Sequence, residues 1–306
     1  VRRAGSGLIL LALVAALPLG AGAADDWDAL CALYDYDATA PLDVRLGATR
    51  ATGAYVVESL SFRGAGGERV PALLIRPTGV ERPPCVLFLH GLGGSKRDAE
   101  FAAVALAPQG IAVLAIDAAR HGDRAQGKLE LTPDLAAIDG PMVRTVIDNR
   151  RALDYLATRD DVNGDRVVLV GVSMGAILGA IVAGVDERID AAALLVGGGG
   201  WDQMPATSTH PLLQRLREAG GPGAMAHVDP VNFAGHISPR PVLLVNGTQD
   251  AIIPREAAEA LQAAAGEPRQ IIWYEGGHVE MPPDVLTVVL SWIAAQAHMT
   301  PVEAGE

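Results

Sequence analysis

Six short apolar runs recur along the chain after residue 84, and no polar positions alternate within them. Strands that are covered by helices on both faces are apolar throughout, whereas half-exposed strands alternate. The runs predict buried parallel strands at residues 85–89, 111–116, 167–170, 191–196, 242–245 and 271–274. Helical patterns lie between and after them, at residues 97–107, 141–157, 174–183, 255–265 and 283–297. This alternation predicts an α/β fold with a mostly parallel, doubly wound sheet.

The segment before these runs has a different pattern. Residues 55–62 alternate weakly between apolar and polar positions, a glycine-rich turn follows at residues 64–67, and residues 70–76 are again apolar. This order predicts an antiparallel hairpin at the N-terminal edge of the sheet, which brings the expected total to about eight strands. The preceding residues 25–52 are polar and are predicted to be irregular.

One connection is much longer than the others. More than 40 residues, rich in glycine and proline, separate Val196 from Pro241. Loops of this length usually carry function or inserted elements. Residues 197–239 are therefore predicted to form a cap-like insertion over the carboxyl ends of the strands, with a short helix near residues 211–219. No internal repeat or linker interrupts the pattern, so residues 25–306 are predicted to form a single domain.

The strongest chemical signal is a Gly-x-Ser-x-Gly motif formed by Gly171, Ser173 and Gly175. An apolar strand precedes it and an apolar helix follows it, which is the context of a nucleophile elbow. The turn is so tight that side chains two positions before and after the serine would collide, and glycine removes those Cβ atoms. The turn also aims the hydroxyl at the free backbone N–H groups of the next helix. Ser173 is therefore the predicted nucleophile.

A serine hydroxyl needs a base to take its proton, and in this arrangement the acid and the histidine follow the serine in that order. Asp250 follows the strand at residues 242–245, and His278 follows the last strand. We predict that His278 is general base and then general acid, and that Asp250 orients it. A solvated loop acid or a helix N-cap is the alternative role of Asp250, and Glu275 is the competing carboxylate.

Six other histidines compete with His278 for the role of base. His90 and His121 follow predicted strands, but both precede Ser173 and so depart from the expected chain order. The remaining four lie in the predicted cap or near the C-terminus, which leaves His278 as the predicted base.

Acyl transfer also requires hydrogen-bond donors for the developing oxyanion. The backbone N–H of Met174, directly after the serine, is the first predicted donor. The second is expected from the glycine-rich loop at residues 90–95, where Leu92 is the predicted donor and Gly91 or Gly93 could equally supply it. The loop sequence Gly-x-Gly-Gly-Ser-Lys lacks the spacing of a dinucleotide site or a P-loop, so a nucleotide is not an expected ligand.

Several further residues are candidates for supporting roles. Trp201 and Met204 could line a substrate pocket, although packing within the cap explains them at least as well. Asp117 and His121 are predicted to brace the loops of the site by hydrogen bonds rather than to bind a metal, because no third ligand lies at a suitable spacing. The sequence implies no metal or organic cofactor.

The composition fits a globular enzyme, with 50% hydrophobic and 20% charged residues and a net charge of −12. No basic run or patch is present, so nucleic acid is not an expected partner. The oligomeric state stays open.

The N-terminal segment has the pattern of a secretory signal peptide. Arg2 and Arg3 precede an apolar stretch at residues 8–17, and small residues follow at positions 20–24. The apolar stretch is short for a membrane span, so no stable membrane insertion is expected. Residues 1–24 are predicted to be cleaved, which would leave a periplasmic or extracellular protein.

The chain has two cysteines, Cys31 and Cys85. Export would permit a disulfide between them, but Cys85 begins a predicted buried strand, which favours two separate thiols.

Three parts of the sequence resemble a known family. They resemble the dienelactone hydrolase-like and acetyl-xylan-esterase-like branches of the α/β-hydrolases. The three parts are His90-Gly91-Leu92-Gly93-Gly94, the segments 148–156 and 166–176 taken together, and residues 240–250. The resemblance extends from about residue 70 to residue 293 and implies an α/β-hydrolase fold. Dienelactone hydrolases proper use a cysteine nucleophile, so the serine at position 173 favours esterase chemistry.

The predicted function is that of a serine carboxylic-ester hydrolase that forms an acyl-enzyme, with a small-molecule or glycan ester of short acyl chain as its substrate. An exported serine peptidase or amidase is one alternative, because the chain also resembles the catalytic domain of prolyl-oligopeptidase-like peptidases. A non-catalytic binding protein of the same fold is the other alternative, although such a protein would lack a member of the triad.

Overall fold

The computed structural model describes residues 22–126, 136–201 and 225–299. Within them, nine strands form one sheet in the order β1-β2-β3-β5-β4-β6-β7-β8-β9. The strands are β1 (Arg45–Ala51), β2 (Tyr55–Arg63), β3 (Arg69–Pro77), β4 (Pro84–Leu89), β5 (Ala112–Ile116), β6 (Asn163–Val172), β7 (Ala191–Leu195), β8 (Val242–Gly247) and β9 (Arg269–Tyr274). The pairs from β1 to β3 and on to β5 are antiparallel, and all later pairs are parallel. The predicted α/β class, with its antiparallel N-terminal edge, is confirmed.

Helices cover both faces of this sheet. They are α1 (Gly22–Ala32), α2 (Ala99–Leu106), α3 (Ala136–Ala157), α4 (Met174–Val185), α5 (Arg255–Ala264) and α6 (Pro283–His298). Alternate side chains of a strand point to opposite faces. In β4, Leu87 and Leu89 face a core formed with α3, α4 and α5, whereas Val86 and Phe88 face a second core formed with α2 and α6. Two buried faces explain the continuous apolar runs of the central strands.

The prediction that residues 25–52 are irregular is wrong. The structure places α1 in the first part of this segment and β1 in the last part, so the sheet has one strand more than expected. Every residue of β1 is exposed. An edge strand that buries no side chain leaves no apolar alternation in the sequence, which is why the pattern did not reveal it.

The third helix begins earlier than predicted. The sequence pattern predicts a helix that starts at Pro141. In the structure α3 begins at Ala136 and includes Pro141. The carbonyl oxygen of Pro141 accepts a bond from the hydroxyl of Thr145 at 2.8 Å.

Part of the long connection is described, namely residues 197–201 and 225–239. Its C-terminal part forms three short 3-10 helices, and apolar side chains of this part, Phe233 and Ile237 among them, join the core on the α4 side of the sheet. The helix predicted near residues 211–219 and most of the predicted signal peptide, residues 1–21, lie outside the described residues. Among the described helices, none combines the length and the apolar character needed to cross a bilayer.

Candidate active site

Ser173 occupies a strained turn between β6 and α4. Its backbone angles are φ 56° and ψ −116°, a region that residues with a Cβ rarely adopt. The Ser173 N–H donates to the carbonyl oxygen of Leu195 in the neighbouring strand β7, at 2.8 Å. The sheet therefore holds the residue at the point where the chain turns into the helix.

The two glycines of the motif are required by the backbone around them. A Cβ atom on Gly171 would lie 2.2 Å from the carbonyl oxygen of Gly175, and one on Gly175 would lie 2.1 Å from the carbonyl oxygen of Leu89. Both neighbours are main-chain atoms, which cannot rotate away as a side chain can. The first turn of α4 thus excludes a larger residue at position 171, and the end of β4 excludes one at position 175.

The structure brings together the three residues predicted to form the triad. Nε2 of His278 lies 2.8 Å from Oγ of Ser173, and Nδ1 lies 2.6 Å from Oδ2 of Asp250. The imidazole can thus accept the serine proton at Nε2 while Nδ1–H donates to the carboxylate. Among the described residues, it is Asp250 rather than Glu275 that reaches the ring.

The carboxylate of Asp250 is buried and fully engaged. Its side chain is 2% exposed, so it is not a solvated loop acid. Oδ1 accepts the backbone N–H groups of Ile252 and Ile253, at 2.8 and 2.9 Å. These bonds direct the other oxygen, Oδ2, towards His278. The N-cap of α5 is Pro254, so Asp250 does not have that alternative role.

The glycine-rich loop after β4 lies beside the serine. A Cβ atom on Gly91 would be 3.6 Å from the Cβ of Ser173. The carbonyl oxygen of Gly91 accepts the N–H of Gly94 at 3.0 Å and lies 2.8 Å from Nδ1 of His90. In a trans peptide the next N–H points opposite to the carbonyl. The N–H of Leu92 therefore points away from His90 and Gly94.

His90 supports this loop, a role that the sequence did not indicate. Its Nε2 accepts the backbone N–H of Ala118 at 3.1 Å, so Nδ1 carries the proton and donates to Gly91. Burial lowers the pKa of His90, which keeps the ring neutral and the two bonds in place. His90 is only a competing base in the sequence-based prediction, although its place directly before the glycine-rich loop fits this role.

Lys96 forms a second support below the same loop. Its Nζ lies 2.7 Å from Oδ2 of Asp117 and 2.7 Å from Oδ2 of Asp123, and its side chain is almost completely buried. Asp117 also accepts the backbone N–H groups of Lys96 and Asp123, both at 2.8 Å. Asp117 thus braces two loops, as its position after β5 predicted. The lysine neutralises acidic side chains rather than facing an open phosphate site.

His121 and Trp201 both contact main-chain carbonyl groups through their ring nitrogens. Nδ1 of His121 lies 2.9 Å from the carbonyl oxygen of Ala119 within its own loop. Trp201 is buried in the core, and its indole N–H donates to the carbonyl oxygen of Val228 at 2.9 Å. These contacts fit the packing alternative for Trp201. Met204 lies outside the described residues.

Within residues 22–126, 136–201 and 225–299, no three His, Cys, Asp or Glu side chains converge as metal ligands would. Cys31 and Cys85 are separate thiols.

Comparison with known proteins shows that this chain is similar to α/β-hydrolases. The sequence model described as the alpha/beta hydrolase family matches residues 86–237. The esterase YjfP of Escherichia coli (strain K12) is 24% identical over 219 residues, which are 68% of this chain and 87% of that protein. The putative hydrolase YtaP of Bacillus subtilis (strain 168) is 29% identical over 229 residues, 68% of this chain and 74% of the relative.

Solved structures share the fold over nearly the whole chain. An acetyl xylan esterase from Paenibacillus sp. R4 superposes with a TM-score of 0.71 at 21% identity, covering 92% of this chain and 96% of that one. Acetyl xylan esterase 1 from Thermoanaerobacterium sp. JW/SL YS485 gives a TM-score of 0.72 at 16% identity, covering 92% and 95%. At these identities the likeness shows the shared fold.

Proposed function

Since this chain belongs to the α/β-hydrolase family, we propose that it is a serine carboxylic-ester hydrolase in which Ser173, His278 and Asp250 form the catalytic triad. The observation that carries the proposal is the continuous alignment of the three side chains. Nε2 of His278 lies 2.8 Å from Oγ of Ser173, and Nδ1 of His278 lies 2.6 Å from Oδ2 of Asp250. A nucleophile, a base and an orienting carboxylate in mutual hydrogen-bond contact are the requirements of acyl transfer.

In the first step, Oγ of Ser173 attacks the ester carbonyl carbon while Nε2 of His278 takes the hydroxyl proton. The tetrahedral intermediate collapses, the C–O bond to the alcohol breaks, and His278 returns the proton to the leaving oxygen. In the second step, His278 takes a proton from water as the water attacks the acyl-enzyme. The acid is then released and the serine regains its proton. Asp250 stabilises the imidazolium in both steps.

The backbone N–H groups of Met174 and Leu92 are the proposed oxyanion donors. Met174 is the first residue of α4, and the first N–H groups of a helix have no acceptor within it. The fixed carbonyl of Gly91 supports Leu92 as the second donor, because it sets the direction of the Leu92 N–H. Each such donor typically contributes about 10²–10³ to the rate.

The proposed substrates are small or short-chain acyl esters. Relatives described as an esterase and as acetyl xylan esterases support ester chemistry over amide chemistry. The signal-like segment supports export, so the substrate would be met outside the cytoplasm. Expression in an export-competent host, followed by N-terminal sequencing, tests this part. A mature chain beginning near residue 25 supports it, and a chain that keeps the segment contradicts it.

The function is tested with p-nitrophenyl acetate and butyrate, aminoacyl anilides and a fluorophosphonate label. The wild-type protein should hydrolyse the esters in preference to the anilides and should take up one label. Ser173→Ala should lose both properties, whereas Ser291→Ala, which removes an exposed hydroxyl on α6, should keep them. Preference for the anilides would instead indicate a peptidase or amidase. A label that still attaches to Ser173→Ala would disprove the nucleophile.

A further inference from the structure

The peptide groups directly before the proposed base are held by two side chains. Gly277 precedes His278, and its carbonyl oxygen accepts the hydroxyl of Tyr274 at 2.8 Å. Its N–H donates to Oε2 of Glu280 at 3.2 Å. The main chain that carries the imidazole is therefore fixed on both sides of one glycine.

The ring of Tyr274 is itself held firmly. Tyr274 is the last residue of β9, is 4% exposed and belongs to the core on the α6 side of the sheet. Cβ atoms on Gly247 and Gly276 would lie 3.1 and 3.0 Å from its Cε2 atom. The ring thus fills the space that these two glycines leave open. Burial, with Asp250 and Glu280 nearby, raises the pKa of Tyr274, so the hydroxyl keeps its proton and can donate.

The loop needs such a restraint because of its sequence. Gly276 and Gly277 lie between the end of β9 and His278, and glycine restricts the backbone less than any other residue. The backbone N–H of Gln249 donates to the carbonyl oxygen of Gly276 at 3.0 Å, which ties this loop to the loop of Asp250. Beyond that bond, the hydroxyl of Tyr274 fixes the peptide that leads into His278. Misplacement of a catalytic group by about 1 Å can cost about 10²-fold in rate.

We propose that Tyr274 is a positioning residue for His278, whose hydroxyl fixes the Gly277–His278 peptide and so holds the imidazole between Ser173 and Asp250. Tyr274 acts through the backbone and does not touch the reacting atoms. This inference rests on the proposed function, because it assigns Tyr274 to the same triad.

The test compares two tyrosine-to-phenylalanine variants. Tyr274→Phe keeps the packed ring and removes only the hydroxyl. Tyr155→Phe is the matched control, since Tyr155 is also buried, lies near the end of α3, and accepts a hydrogen bond at its hydroxyl from Nη1 of Arg159 at 2.6 Å. We expect Tyr274→Phe to lower kcat for p-nitrophenyl acetate about 10-fold, within the range that misplacement of a catalytic group produces, with KM unchanged. Labelling by fluorophosphonate should slow by a similar factor. Tyr155→Phe should leave both rates unchanged.

Two results would overturn the proposal. One is a kcat of Tyr274→Phe equal to that of the wild type, and the other is a kcat that falls equally in Tyr155→Phe, which would indicate a general effect of losing a buried hydroxyl. If Tyr274→Phe does not fold, p-aminophenylalanine introduced at position 274 supplies an N–H donor in place of the hydroxyl. A folded protein with near-normal kcat supports the proposal, and a folded but slow protein refutes it.

The two proposals fail in different ways. If Ser173→Ala keeps its esterase activity, the proposed function is wrong whatever Tyr274 does. If Ser173→Ala is inactive and Tyr274→Phe is fully active, the triad stands and only the role of Tyr274 is wrong.

Discussion

The carbonyl oxygen of Leu89, at the end of β4, lies where a side chain on Gly175 would have to go. A Cβ atom there would be 2.1 Å from this oxygen and 2.8 Å from the carbonyl oxygen of His90. The nucleophile helix α4 therefore contacts the start of the glycine-rich loop with no room for a methyl group. The second glycine of the motif sets how closely the serine approaches that loop.

Gly175→Ala should consequently disrupt both stability and activity. Either α4 or the end of β4 must move, and overpacking of this kind costs about 3 kcal/mol. We expect the free energy of unfolding, measured with urea, to fall by that amount and ester hydrolysis to be lost. Gly140→Ala is the control, because Gly140 is exposed in α3 with no atom within 4 Å of an added Cβ. That variant should gain about 0.5–1 kcal/mol. Normal activity in Gly175→Ala would contradict the steric argument.

The elbow could be predicted from sequence because its requirements are local. Gly171, Ser173 and Gly175 lie within five positions, and the strand and helix that flank them have clear apolar patterns. The prediction that Asp250 and His278 belong to the same site required one more assumption, that the carboxyl ends of parallel strands meet at one edge of the sheet. Strands β6 to β9 are adjacent in the sheet, so this assumption brought the three residues together.

Other features could not be predicted because no local pattern encodes them. The bond from Tyr274 to Gly277 depends on the path of the loop between them. The sequence indicates no role for Lys96, and only the fold shows that the carboxylates of Asp117 and Asp123 contact its ammonium group. These contacts are set by backbone geometry and by residues distant in sequence, which periodicity does not reveal.

Replacement of Asp250 by asparagine should abolish most of the activity without unfolding the protein. An amide at this position would donate to Nδ1 of His278 and stabilise the wrong tautomer of the ring. A change of this kind in a triad lowers kcat by about 10⁴. Glu275→Gln, which neutralises the competing carboxylate, should leave kcat unchanged. Steady-state kinetics on p-nitrophenyl acetate distinguish the two, and a larger loss in Glu275→Gln would reverse the assignment.

The two thiols should differ in reactivity. Cys85 is fully buried in β4, and burial raises its pKa to about 12, so it has almost no thiolate at neutral pH. Cys31 is only partly buried. Alkylation of the native protein by iodoacetamide should therefore modify Cys31 alone, and alkylation after denaturation should modify both. Mass spectrometry provides the measurement. A denatured, unreduced protein that resists alkylation would instead indicate a disulfide.

The buried carboxyl group of Asp148 should make stability depend on pH in a specific window. Asp148 is completely buried in α3, and Nη1 of Arg124 lies 2.7 Å from its Oδ2. Burial raises the pKa of Asp148 to about 6, against the smaller opposing effect of Arg124 and with Glu68 adding to the rise.

In the unfolded chain the same carboxyl group titrates near pH 4. Between about pH 4 and pH 6 the native state therefore holds a proton that the unfolded state has released. The contribution of this group to stability declines as pH rises through that window, by about 3 kcal/mol in total. Asparagine cannot titrate, so Asp148→Asn should remove this decline. Arg124 would keep its contacts with Oε1 of Glu68 and the carbonyl oxygen of Asp117.

Urea unfolding at pH 4, 5, 6 and 7 tests this expectation. The difference in unfolding free energy between Asp148→Asn and the wild type should shift in favour of the variant by about 2 kcal/mol from pH 4 to pH 7, because the unfolded carboxyl group is already partly ionised at pH 4. Asp165→Asn, which removes an exposed carboxylate, controls for the change in net charge. A difference that stays constant with pH would show that Arg124 keeps Asp148 ionised across the whole range. In that case the ion pair, and not burial, sets the charge of this group.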